Sequence, residues 1–306
     1  MPVSKLFLSV GAMKAGTTFL YNVFQKHPDL YFTPEKELHY FAHTNGLSRK
    51  LQKPLSPTLF NTISSNLTRK HTILSTDFRR HRLSMVMHNR YAKLKDPEEL
   101  RDIVRWYSDK YLTSPVNDAW FESVFADVGD RYACDFSNYH ALLSPRGWDH
   151  VKRLAPKLRV IYVLRHPVAR LWSHIKFDLI HSGRKHELEN FSLKDLEAKL
   201  TETGISSHSR YGDIAQQLKG NLSSNELKII PFESFIENFE SSVREIEEFL
   251  EIKQHTYTHV NTHKKSNPSI DLTLPPALYE RLREAVRPEL KKLEQLGIQI
   301  PESYKA

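Results

Sequence analysis

Lys14 stands inside Gly11-Ala12-Met13-Lys14-Ala15-Gly16-Thr17-Thr18, a run of small residues that carries one cation and two hydroxyls and directly follows the apolar Leu6-Phe7-Leu8-Ser9-Val10. Those types in that order suit an anion, because a small-residue turn that opens a helix presents backbone N–H groups and a cation to one point. After Pro34 comes Glu35-Lys36-Glu37-Leu38-His39-Tyr40-Phe41. In an extended chain Glu37 and His39 share one face, since alternate side chains point the same way, and a carboxylate and an imidazole then converge on one point. Farther along, Arg165-His166-Pro167 closes the apolar Val160-Ile161-Tyr162-Val163-Leu164 and leads into a stretch carrying Arg170, Trp172 and Ser173. A guanidinium grips phosphate oxygens in bidentate fashion, and a hydroxyl on the first turns of a helix adds a donor.

These groups need a scaffold that brings several strand ends together. Leu6 to Val10, Leu30 to Thr33, Tyr132 to Asp135, Val160 to Leu164 and Leu227 to Pro231 read as short strands with helices between several of them. That pattern predicts an α/β fold, a P-loop-like and largely parallel sheet flanked by helices. Phe19 to His27 has helical spacing and stops at Pro28, so the loop at 11–18 feeds a helix. Pro97 to Tyr111 predicts a helix with Leu100, Ile103, Val104 and Tyr107 on one face and Asp96 as N-cap. Pro275-Pro276 followed by Leu278, Leu282 and Val286 predicts a terminal amphipathic helix that Pro288 kinks or divides. Trp120 and Phe121 are expected in the core.

The loop departs from the ordinary nucleoside-triphosphate P-loop, in which the lysine follows the last glycine; here Thr17 has that place and Lys14 has moved into the turn. Lysine there, followed by Gly16-Thr17-Thr18, resembles the 5′-phosphosulfate loop of sulfotransferases that use 3′-phosphoadenosine 5′-phosphosulfate (PAPS). The resemblance implies that Lys14, Ala15, Gly16, Thr17 and Thr18 hold the 5′-phosphosulfate. Arg165 and Ser173, eight residues apart, are similar to the family's 3′-phosphate pair. Lys36-Glu37-Leu38-His39-Tyr40-Phe41 resembles the Lys-Glu-x-His-Phe-Phe segment of family members acting on carbohydrates, which makes Glu37 the general base and His39 an orienting group or partner in base duty. Tyr211, in Ser209-Arg210-Tyr211-Gly212, matches a family position near the nucleotide. Lys264, Lys265 and Ser266 match a flexible basic loop that closes over the cofactor. The family's Glu-Lys-Thr-Pro-like segment has become Cys134-Asp135-Phe136-Ser137-Asn138-Tyr139, without its lysine. Lys14 is then the only evident cation for the leaving phosphate, and Asp135 or Ser137 is expected to contact acceptor.

The whole chain, 1–306, is expected to form one such domain, with residues 42 to 130 an insertion that shapes acceptor access. Its 306 residues, 40% hydrophobic and 26% charged, suffice for one large core. The net charge of +8 calls for an anionic partner, which the nucleotide itself satisfies. Most basic runs, Arg79-Arg80-His81-Arg82 among them, read as solvated faces. No nucleic-acid motif is evident. His255, His259 and His263 have metal-face spacing only if helical, and the threonines between them oppose a helix, so no metal is expected. The single Cys134 suits a reducing compartment, and neither a leader nor an apolar run of about eighteen residues is evident. The expectation is a soluble, cytoplasmic enzyme without a membrane span, resembling bacterial stand-alone members; the oligomeric state is left open. Two other readings stand beside it: a P-loop kinase with Asp135 as magnesium ligand, and a non-catalytic protein that binds a nucleotide or nucleic acid.

Overall fold

The computed structural model describes residues 3–51, 79, 83, 97–113, 115–258, 260–262 and 272–305. Five strands, β1 (Lys5–Ser9), β2 (Leu30–Phe32), β3 (Tyr132–Asp135), β4 (Lys157–Leu164) and β5 (Leu227–Pro231), form one sheet in the order β2-β3-β1-β4-β5. Every neighbouring pair is parallel, with Leu6 of β1 opposite Ala133 of β3 on one side and Leu158 of β4 on the other. The near-continuous apolar runs of β1 and β4 require this arrangement, because a parallel strand is covered on both faces. Leu6, Phe7, Leu8 and the stretch Val160–Leu164 are all fully buried. The chain leaves β1 toward one side of the sheet and later returns to build the other side, so the strand order reverses at β1. In open parallel sheets, ligands bind beyond the carboxyl ends of the strands at such a point.

In chain order the longer helices are α1 (Thr17–Phe24), α2 (Tyr40–Thr44), α3 (Pro97–Trp106), α4 (Asp118–Val124), α5 (Pro145–Leu154) and α6 (Pro167–His181). They are followed by α7 (Leu193–Thr201), α8 (Tyr211–Asn221), α9 (Phe232–Glu237), α10 (Phe239–Leu250) and α11 (Pro276–Gln295). Ser144 and Ser192 cap α5 and α7 through their side chains. Among the described residues, no helix is long and apolar enough to cross a membrane.

Three local expectations are corrected. The helix predicted over 97–111 stops at Trp106 and continues as a π-helical turn, Tyr107–Tyr111. The wider turn brings Tyr111 onto Trp106 in a stack at 5.3 Å, so the buried face is Ile103, Trp106, Tyr107 and Tyr111, and Val104 is exposed. Pro288 does not divide α11, which runs unbroken from Pro276 to Gln295. Burial of Leu282, Val286, Leu290 and Leu293 along one stripe outweighs the backbone bond that a proline forfeits. Arg79, read as part of a solvated run, is buried and donates to the carbonyls of Tyr111 and Thr113.

Within the segment 42–130, α3, the π-helical turn after it and α4 send Trp106, Tyr107, Trp120 and Phe121 into the same core cluster as the sheet. Cys134 is a free, buried thiol in β3. His259 and His263 lie outside the described residues, and among the described ones no three His, Cys, Asp or Glu side chains are grouped to hold a metal.

Candidate active site

Two glycine-dependent features shape the loop after β1. Gly16 sits at φ 92°, and a Cβ there would lie 2.3 Å from the Phe232 ring, so both the backbone angle and the packing exclude a side chain. Helix α1 then opens at Thr17 with no side-chain cap and no acidic residue in its first turn. Its end therefore keeps the positive character of an open helix N-terminus.

The loop is fastened from the β4 side. Ala12 N–H donates to the Val163 carbonyl and Val163 N–H to the Gly11 carbonyl, both at 2.8 Å. Arg165 Nη1 donates to the Lys14 carbonyl at 3.1 Å, and Arg170 Nη1 to the Met13 carbonyl at 3.4 Å. Arg170 is almost fully buried and also holds Ser209 Oγ at 2.6 Å. Tyr211 stands against Arg165: its hydroxyl accepts the Arg165 N–H at 3.2 Å and donates to the Arg165 carbonyl at 3.1 Å. Its contribution is to fix Arg165. Ser173 lies on α6 one turn beyond Arg170 and is largely buried. Lys264, Lys265 and Ser266 lie outside the described residues.

Lys14 is itself in the left-handed region at φ 67°, and its Nζ sits 4.3 Å from the centre of the Phe177 ring. Burial lowers its pKa below the ordinary lysine value, and the charges of Arg165 and Lys36 lower it further, against a smaller opposing pull from Glu37. Three cations thus crowd one helix N-terminus.

Glu37 and His39 do converge, with Oε2 and Nε2 3.2 Å apart. The cause differs from strand alternation, because residues 37–39 form no strand and His39 turns left-handed at φ 60° to start α2. Glu37 Oε1 also accepts from Lys36 Nζ at 3.0 Å and Asn138 Nδ2 at 3.4 Å. Burial pushes the Glu37 carboxyl up, but the His39 bond and the Lys36 charge outweigh it and hold the group well below the usual carboxylate range. A quarter of its side chain is exposed, enough for a hydroxyl to reach it. The His39 ring is pushed down by burial, partly offset by Glu37. Its Nε2 also lies 2.6 Å from Lys50 Nζ, so one nitrogen is shared between a carboxylate and an ammonium. Glu35 points elsewhere: it is buried and accepts the Tyr107 hydroxyl.

Asp135 and Ser137, expected at the acceptor, are both fully buried. Asp135 Oδ1 accepts the Leu38 N–H at 3.0 Å and Ser137 Oγ accepts the His39 N–H at 3.0 Å. Sequence reasoning also overlooked Lys36, whose Nζ reaches Thr17 Oγ1 at 3.3 Å and so joins the acceptor segment to the loop. Lys14 was taken as the only evident cation because the lysine of the family's Glu-Lys-Thr-Pro-like segment is missing from this sequence, and Lys36 was given no role of its own. Asn138 and Arg170 were given no task, since each acts on residues far from it in the chain, Asn138 on Glu37 and Arg170 on Met13 and Ser209.

A parallel sheet whose central strand runs into an open helix N-terminus ringed by cations defines an α/β fold with a cationic crevice at its switch point. Within that class the chain belongs to the sulfotransferase family, whose profile matches residues 7–256. Among solved structures it is similar to a sulfotransferase from Alicyclobacillus acidocaldarius, at 18% identity over 99% of each chain with a TM-score of 0.58. It is also similar to the sulfotransferase domain from the curacin biosynthetic pathway, at 15% identity over 98% of this chain and 99% of that one, with a TM-score of 0.53. At such identities the likeness is one of fold. No curated protein matches the chain significantly.

Proposed function

We propose that the protein moves the sulfuryl group of PAPS to an acceptor hydroxyl by in-line displacement, releasing 3′-phosphoadenosine 5′-phosphate (PAP). One observation carries the reading: Arg165 and Lys36 bring two further positive charges to bear on the partly buried Lys14 beside the open N-terminus of α1, an arrangement that a polyanion relieves. The donor set fits the group. Ala15, Gly16, Thr17 and Thr18 would hold the 5′-phosphate, Arg165 and Ser173 the 3′-phosphate, and Lys264, Lys265 and Ser266 would close over the nucleotide. When bound, PAPS supplies the sulfuryl group and a phosphate leaving group.

Glu37 takes the acceptor proton, His39 orients the hydroxyl, and Lys14 with Lys36 neutralises charge that develops on the leaving oxygen. Glu37 in the free protein is a weak base because Lys36 and His39 stabilise its anion. Its proton affinity rises when an anion draws Lys36 toward Thr17. These roles are filled by side chains, so no metal enters the proposal.

The carbohydrate expectation rested on residues 36–41. Tyr40 and Phe41 turn into the core, with rings 5.0 and 4.9 Å from Phe121, so the segment offers the site Lys36, Glu37 and His39 only. Those groups serve any hydroxyl, and a carbohydrate is the first acceptor class to screen. We also place the enzyme in the cytoplasm, in keeping with its reduced Cys134. The kinase reading loses its magnesium ligand, because Asp135 is buried and committed to Leu38 and Ser137.

Calorimetric titration with PAP, AMP and ATP, without added magnesium, tests the donor. Tight PAP binding, far weaker AMP binding and loss of the difference in Arg165→Ala are expected. Preference for ATP, or no discrimination, overturns the proposal.

A further inference from the structure

The exit of β3 and the segment that carries Glu37 are laced together residue by residue. Phe136 N–H donates to the Lys36 carbonyl at 3.1 Å. Asp135 Oδ1 accepts from Leu38 N–H and Ser137 Oγ from His39 N–H, each at 3.0 Å. Ser137 Oγ in turn donates to Asp135 Oδ1 at 2.5 Å, which locks the two acceptors to each other. Both residues are fully shielded from solvent, so neither can touch an acceptor.

The held residue is a strained one. His39 lies at φ 60°, a conformation that a non-glycine residue keeps only when its surroundings over-determine it. That turn sets the direction of its ring and brings Nε2 to Glu37 Oε2. The other Asp135 oxygen, Oδ2, has no hydrogen-bond partner among the described residues and faces His140 Nε2 at 3.8 Å, which likewise has none. A buried carboxylate left half unsatisfied is costly, and packing alone gives no reason to keep it.

We propose that Asp135 and Ser137 are positioning residues for the transfer: they hold the main chain of Leu38 and His39 in the left-handed turn that aims His39 and Glu37 at the acceptor hydroxyl. The inference rests on the reading of Glu37 and His39 as the acceptor-activating pair. The requirement is for an acceptor atom at Oδ1, not for charge, so Asn at position 135 can serve as well as Asp.

The test uses the full chain and needs no acceptor. Amide exchange at Leu38 and His39 and the NMR titration of the His39 ring are followed in the wild type, Ser137→Ala and Asp135→Asn, beside PAP calorimetry. In Ser137→Ala the His39 amide is expected to exchange roughly threefold to tenfold faster, the scale of one net hydrogen bond. The His39 ring titration should move while PAP affinity stays within twofold. Asp135→Asn should retain the wild-type signature at both positions. Unchanged exchange and titration in Ser137→Ala overturn the proposal, and so does a parallel loss of PAP affinity, which would make the brace a general support of the fold. A wild type that does not bind PAP defeats the donor reading instead, and the His39 signals still decide the brace.

Discussion

The loop at 11–18 and the segment at 35–39 meet at Lys36 and Thr17, yet they are held by opposite means. The loop is set by its own glycine, its own helix and short-range stitches to β4, and it gathers cations with little to neutralise them. The acceptor segment is already neutralised within itself, since Glu37 faces Lys36 and His39, and His39 faces Lys50. Its shape comes from Asp135, Phe136 and Ser137, almost a hundred positions away in the chain. One side gains free energy as soon as an anion arrives. The other must exchange partners before it can act, so the two sides are separable by mutation.

Glu37→Gln separates them most widely. The amide keeps the shape and a hydrogen bond but cannot take a proton, so turnover should fall by roughly two to four orders of magnitude, the range of general base catalysis. PAP affinity, read by calorimetry, should stay within a few-fold of wild type. A matching loss of PAP affinity would show that the two sides are one unit. The depressed pKa adds a pH signature: the carboxylate persists as pH falls through the ordinary glutamate range, so kcat/KM should show no acid limb from Glu37 near 4.5.

The second test concerns what the acceptor side gives up for its geometry. Burial raises the Asp135 pKa to about 7 from 3.8. The unfolded chain therefore ionises first as pH rises, and the wild type loses stability from about pH 4 until the folded carboxyl also ionises near 7, after which the loss is constant. At 1.36 kcal/mol per pK unit, the shift of roughly three units amounts to about 4 kcal/mol at most. Asp135→Asn has no proton to lose, so its stability relative to wild type should improve between pH 4.5 and 8 in urea denaturation. A gap that does not change with pH would mean that Asp135 is ionised in the fold at little cost.

Arg165→Ala tests the loop side. It removes a guanidinium proposed for the 3′-phosphate and the bond that fastens the Lys14 carbonyl. Loss of one charge-assisted interaction, about 1.5–3 kcal/mol, predicts PAP affinity weaker by roughly ten- to a hundredfold. The Glu37–His39 pairing, followed by the ring titration of His39, should not change. Together with Glu37→Gln this gives opposite losses at the two sides.

The same contrast explains what the sequence could reveal. All five strands and the loop were legible, because a buried parallel strand is a continuous apolar run and an anion loop is built from adjacent residues. Lys14, Gly16 and Arg165 follow directly from that local code. The convergence of Glu37 and His39 was legible as a result but not as a cause, since no local pattern announces a left-handed histidine. Lys36 was given no role because its bond to Thr17 crosses between two separate segments, and Asp135 and Ser137 were sent to the wrong partner because their bonds cross from β3 to a segment far away in the chain. The unbroken α11 through Pro288 shows burial along one stripe overriding a local breaker.

Phe177→Ala should give the smallest effect and bears on how ready the loop side is before its ligand arrives. The Phe177 ring is partly exposed on α6, and the Lys14 ammonium rests over it at 4.3 Å. A cation over an exposed ring is stabilised by about 0.5–1 kcal/mol, which sets the size of any change at about twofold to fivefold. If Lys14 leaves the ring to meet the anion, that stabilisation belongs to the free protein alone, and its removal should tighten PAP binding by this amount. Calorimetry of the variant beside the wild type at one pH reads the change. Weaker binding would mean that Lys14 stays on the ring in the complex, and that the leaving oxygen depends on Lys36.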